Sequence, residues 1–75
     1  MISLTEMPAG KKGTIAAING GYGLVKKLDK MGFRIGKEIT KVSGQWMKGP
    51  VVIRSGNTEI AIGFGMANKI MVEVK

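Results

Sequence analysis

The side chains able to carry chemistry in this 75-residue chain are few, and their spacing limits what they can do. There is no histidine and no cysteine, so imidazole and thiolate are excluded as base, nucleophile or ligand. The acids Glu6, Asp29, Glu38, Glu59 and Glu73 are scattered with no ligand-like interval. Transition-metal sites lean on imidazole, thiolate and clustered carboxylate ligands; no such set can be assembled, and neither a metal site nor a cofactor is expected. Ser3, Ser43 and Ser55 have no base at a recognisable distance, so no residue is assigned a catalytic role and the chain is expected not to be an enzyme.

Other chemistry-bearing patterns fail on inspection. Gly21-Tyr22-Gly23 sits between a strand pattern and a helix pattern, the context of a phosphate loop, but Lys26 stands where G-x-G-x-x-G needs its third glycine. These glycines are read as a turn. The six methionines contain no Met-x-x-Met pair, and Met31, Met47, Met66 and Met71 are read as adaptable packing or contact residues. What remains is a basic surface: 12 Lys and Arg against 5 Asp and Glu give a net charge of +7. That charge suits an anionic partner, and equally a lysine coat that keeps a small protein dissolved.

A chain this short is one domain, residues 1–75, and with no disulfide it must hold itself by dense apolar packing, for which 44% hydrophobic residues suffice. No apolar run approaches the length of a membrane span. The N-terminal Met-Ile-Ser-Leu-Thr-Glu-Met-Pro lacks the basic and apolar regions of a signal peptide. A soluble, cytoplasmic protein without membrane insertion is expected.

The elements are anchored on Gly49–Ile62. Val51 and Ile53 alternate with Val52 and Arg54, and Thr58, Ile60 and Ile62 with Glu59 and Ala61, around Gly56-Asn57, which predicts a tight hairpin. Residues 3–10 are an extended lead-in. Gly13–Ile18 is a strand with apolar residues on both faces. Leu24, Val25, Leu28 and Met31 make one helical stripe, closed by Gly32. Phe33-Arg34-Ile35-Gly36 is a turn into a strand over 37–43, where Ile39 and Val42 differ in parity and a bulge is expected near Lys41. Residues 45–48 cross to the hairpin, 63–68 form a 3₁₀ turn, and Ile70, Val72 and Val74 define the last strand. The expectation is a mainly β protein: a small five-stranded barrel with one short α-helix and a 3₁₀ turn.

Leu4, Pro8 and Gly10, the run Leu28-Asp29-Lys30-Met31-Gly32-Phe33-Arg34-Ile35-Gly36, Gly49-Pro50-Val51-Val52-Ile53, and Ala61-Ile62-Gly63 with Ala67 and Ile70 form a pattern along the whole chain. It resembles the FeoA family (ferrous iron transport protein A). The resemblance implies an SH3-like barrel, a fold that also ends some metal-responsive transcriptional repressors. It also implies a cytosolic accessory or regulatory protein of ferrous iron uptake, acting by protein–protein contact with the cytosolic part of a FeoB-type membrane transporter. It supplies no catalytic residue.

The contact face is expected at Leu28, Met31, Phe33, Trp46 and Met47, around a groove where aromatic and aliphatic side chains meet a peptide. The competing expectation is a basic barrel that binds nucleic acid, with Lys26, Lys27, Lys30, Arg34, Lys37 and Lys41 as its face and Tyr22, Phe33 and Trp46 as stacking rings. With aromatics at 5%, partner docking is favoured over nucleic acid. Unpaired barrel edges leave a homodimer open.

Overall fold

Ile2–Ser3 forms a short strand β1, followed by β2 (Lys12–Ile18), helix α1 (Gly21–Lys30), β3 (Glu38–Ser43), β4 (Val51–Ser55), β5 (Thr58–Ile62), the single helical turn α2 (Phe64–Ala67) and β6 (Ile70–Val74). This is a computed structural model; it describes residues 1–43 and 49–75. The strands form one antiparallel sheet in the order β1-β6-β2-β3-β4-β5, with β1 and β5 at its edges.

The hairpin forms as its alternation requires. Val51 and Ile53 are buried, Arg54 and Glu59 are exposed, and Ser55 faces Thr58 across the two-residue turn. Gly56 has φ +60, the left-handed value that such a turn needs at its first central position. The bulge near Lys41 is present as a register shift between Lys41 and Ser43, which leaves Val42 outside and Ile39 and Lys41 inside.

Four expectations are corrected. The lead-in over 3–10 is not extended: Ile2 and Ser3 form a sixth strand paired with Val72 and Met71, and the chain then turns, with Glu6 N–H donating to Ser3 O (3.0 Å) and Met7 N–H to Leu4 O (3.3 Å). In β2 the two-sided pattern resolves through a second bulge between Ile15 and Ala17, so that Ile15 opposes Val72 and Ile18 opposes Ile70, both towards the core. Helix α1 starts at Gly21 rather than Leu24, its first turn taking in the glycine pair. Segment α2 is α-helical rather than 3₁₀, because Ala67 and Asn68 donate their N–H groups to the carbonyls of Gly63 and Phe64, four residues back.

The core gathers Leu4, Met7, Ile15, Leu24, Leu28, Phe33, Ile39, Val51, Ile53, Ile62, Ala67, Ile70 and Val72. One charge lies among these apolar groups. Lys41 is 2% exposed, and its Nζ donates to the carbonyl oxygens of Leu4 (3.1 Å), Thr5 (3.2 Å) and Met7 (2.6 Å).

Candidate partner-docking face

Helix α1 has two faces. Leu24 and Leu28 point inward and Met31 is half-buried behind them, whereas Tyr22, Val25, Lys26 and Asp29 share the opposite side at i, i+3, i+4 and i+7. Tyr22 is 78% exposed, with Lys26 Nζ 5.8 Å from its ring centroid.

The helix closes in a way that decides the rest of the site. Gly32 (φ +85) donates its N–H to Asp29 O (3.0 Å), and Phe33 donates to Leu28 O (2.9 Å). This pair of bonds is the Schellman motif, whose usual companion is an apolar contact between the two residues joined by the bond that spans more of the chain. Here those residues are Leu28 and Phe33, 2% and 1% exposed. Both therefore belong to the core and present no surface to a partner. Of the expected contact residues, Met31 is half-buried, and Trp46 and Met47 lie outside the described residues.

What the motif projects outward is the next turn. Lys37 N–H donates to Arg34 O (3.0 Å), leaving Ile35 and Gly36 at the corners. Two further bonds, Gly36 N–H to Ile15 O (2.8 Å) and Ile15 N–H to Lys37 O (3.0 Å), fix this turn to β2. Arg34 Nε donates to Asp29 Oδ1 at 2.8 Å and ties it to the helix. Ile35 is 60% exposed at the apex. Beside it lies a shallow concavity of about 460 Å³ lined by Gly32, Arg34, Ile35, Gly36 and Lys37.

The result is a braced apolar apex, an apolar and aromatic helix stripe, and a cationic rim of Lys26, Lys27, Lys30 and Lys37, with Asp29 matched by Arg34. Such a surface can hold an apolar segment flanked by acids. Among the described residues no group of three or more His, Cys, Asp and Glu could hold a metal ion.

The basic face proposed for nucleic acid is corrected in two places. Lys41 is spent inside the fold on three carbonyls, and Phe33 is in the core, so neither can meet a phosphate or a base.

A family model described as the FeoA domain matches residues 2–74. The chain belongs to the FeoA family. A Methanocaldococcus jannaschii protein named "Putative Fe(2+) transport protein A" is 37% identical over 73 residues, covering 97% of this chain and 87% of the relative. The crystal structure of an iron uptake regulatory protein, FeoA, superposes with a TM-score of 0.84 at 35% identity, over 99% of this chain and 96% of that one. A Stenotrophomonas maltophilia FeoA, described as a prokaryotic SH3 domain protein, matches with a TM-score of 0.80 at 21% identity, covering 97% and 91%. The SH3-like fold expected of a FeoA domain is thus the fold found, with its ladder open between β1 and β5 among the described residues.

Val25 and Ile35 were not expected as contacts, and Tyr22 was expected only as a stacking ring for nucleic acid. A signal existed. Leucine four residues before Gly-Phe is the Schellman spacing, which sends the aromatic inward and leaves the following Ile35 to the turn.

Proposed function

We propose that this FeoA domain is a non-enzymatic cytosolic accessory protein of ferrous iron uptake, docking on the cytosolic part of a FeoB-type membrane transporter. Membership of a family whose relatives are named for Fe(2+) transport and iron uptake regulation supports the role. The observation that carries docking is Ile35: a large apolar side chain held out of the core by a turn bonded to both β2 and α1, among cations. Isolated exposed apolar side chains are ordinary, but a rigid one beside a concavity loses little conformational entropy on binding. No helix among the described residues is long and apolar enough to cross a membrane.

The nucleic-acid reading is weaker on this geometry. Removing Lys41 and Phe33 from the basic face leaves Tyr22 as its exposed ring among the described residues, and single-strand platforms stack several. Capture by the transporter's immobilised cytosolic part tests the proposal. The native protein should be retained, Ile35→Asp and Tyr22→Ala should be retained less, and equal retention of all three would remove this face from the account.

A further inference from the structure

The outer edge of β5 is a second surface, independent of the docking face. Among the described residues no strand pairs on its far side, so its outward backbone groups have no ladder partner. Exposed edges are normally blunted by charged side chains, lysine above all, or by proline, a bulge or extreme shortness. Strand β5 is five residues, Thr-Glu-Ile-Ala-Ile, with an unbroken register against β4, no lysine, proline or bulge, and a single charge, Glu59, that is matched by Arg54.

The register says which groups are free. In a two-residue hairpin the pair beside the turn, Ser55 and Thr58, exchanges backbone bonds, and so does every second pair after it, Ile53–Ile60 and Val51–Ile62. Glu59 and Ala61 therefore aim their N–H and C=O groups away from β4. Their side chains are exposed, while Ile60 is half-buried at the margin of the core.

We infer that β5 pairs antiparallel with β5 of a second copy of this chain, about a twofold axis at Ile60. In that register Glu59 of each copy faces Ala61 of the other, and each such pairing exchanges both backbone hydrogen bonds. Ile60 meets its own symmetry mate on the core side, where the two half-buried side chains cover one another. No charge opposes a like charge, because Glu59 lies opposite alanine and is matched by Arg54 at 3.9 Å within its own hairpin.

Electrostatics do not oppose pairing at this edge. Two copies of a chain with net charge +7 repel, yet between Lys48 and Lys69 the charged residues are Arg54 and Glu59, which cancel. The hairpin is thus a neutral part of a cationic molecule, and two copies can meet along its edge with little repulsion.

The test needs no transporter, so its failure would leave the docking proposal untouched. Sedimentation of the native protein should give twice the 8.0 kDa chain mass at high concentration. Ala61→Pro deletes an outward N–H without touching the β4 ladder, and should sediment as a folded monomer with an unchanged far-UV spectrum. Because the chain lacks cysteine, Ile60→Cys gives an independent reading. Opposed residues at such a position have Cα atoms about 4.5 Å apart, within disulfide range, so mild oxidation should yield covalent dimer. Glu59→Cys, which faces alanine, should cross-link far more slowly. A native protein that stays monomeric at every attainable concentration would overturn the inference. So would a dimer that survives Ala61→Pro, equal cross-linking of the two cysteine variants, or an edge that captures only a strand of the transporter.

Discussion

Lys41 Nζ donates a 2.6 Å hydrogen bond to the carbonyl oxygen of Met7, joining the middle of β3 to the turn that follows the first strand. With the bonds to Leu4 and Thr5, the ammonium uses all three of its protons on backbone acceptors, and those acceptors have it as a buried partner. This lysine is a structural cation. Replacing it with methionine keeps the apolar stem and removes three charge-assisted hydrogen bonds, that to Met7 O being the shortest. Lys41→Met should lower the unfolding free energy by about 2–3 kcal/mol, read as a fall in urea midpoint, while the exposed Lys37→Met stays within about 0.5 kcal/mol.

The pH dependence of stability should carry two signatures of opposite origin. Burial pulls the Lys41 ammonium below its ordinary 10.5, so between the folded value and 10.5 the unfolded chain holds the proton more tightly. Through that window the Lys41 contribution makes stability rise with pH, and the rise should vanish in Lys41→Met. The Glu38 carboxyl is held below its ordinary 4.5, chiefly by its hydrogen bond from Lys75 and then by that ammonium's charge. Its contribution is complete above 4.5 and is lost as pH falls through the folded value. Glu38→Gln should flatten the acid limb of unfolding free energy against pH.

Leu28 and Phe33 should behave as core residues. Phe33→Ala should cost about 3–5 kcal/mol, which is of the order of the whole stability available to a core this small. Circular dichroism should show it largely unfolded. Leu28→Gln buries an amide and should also lose stability. A variant at either position that keeps native stability would contradict the Schellman placement.

Two glycines should respond in opposite directions. A Cβ on Gly13 would stand 2.9 Å from the Glu73 carbonyl oxygen across the β2–β6 ladder, so Gly13→Ala should destabilise by about 1–3 kcal/mol. A Cβ on Gly23 meets nothing within 4 Å in α1. There alanine should stabilise by about 0.5–1 kcal/mol through its better helix propensity. Thermal melts of the two variants check both signs.

How much of this was legible in the sequence depends on the range of the interaction. The hairpin around Gly56-Asn57 and the helical stripe of Leu24, Val25, Leu28 and Met31 are local patterns; the hairpin formed where the alternation put it, and the stripe formed without Val25, which is exposed on the opposite face. The bulge near Lys41 was legible from the parity of Ile39 and Val42. Its consequence was not, since turning Lys41 inward needs acceptors 34 to 37 residues away in sequence. Pattern reading assigns a lysine to water. The same limit hid strand β1, because two residues carry no period and Ile2 is fixed only by pairing with Val72 at the far end of the chain. The site was half legible: the segment 28–36 was singled out, but its buried Leu28 and Phe33 were expected as contacts and its exposed Ile35 was not. Helix periodicity stops at Gly32, and the cap geometry beyond it decides that Phe33 enters the core while Ile35 leaves it.

The central claim is that a braced Ile35, rimmed by cations, is what a transporter's cytosolic part grips. Titration calorimetry of that part against native protein and Ile35→Asp, each first shown to unfold at the same urea midpoint, measures this directly. The account predicts binding at least about tenfold weaker for Ile35→Asp, the loss of more than about 1 kcal/mol expected of a contact hot spot. Equal affinities for the two folded proteins would contradict it.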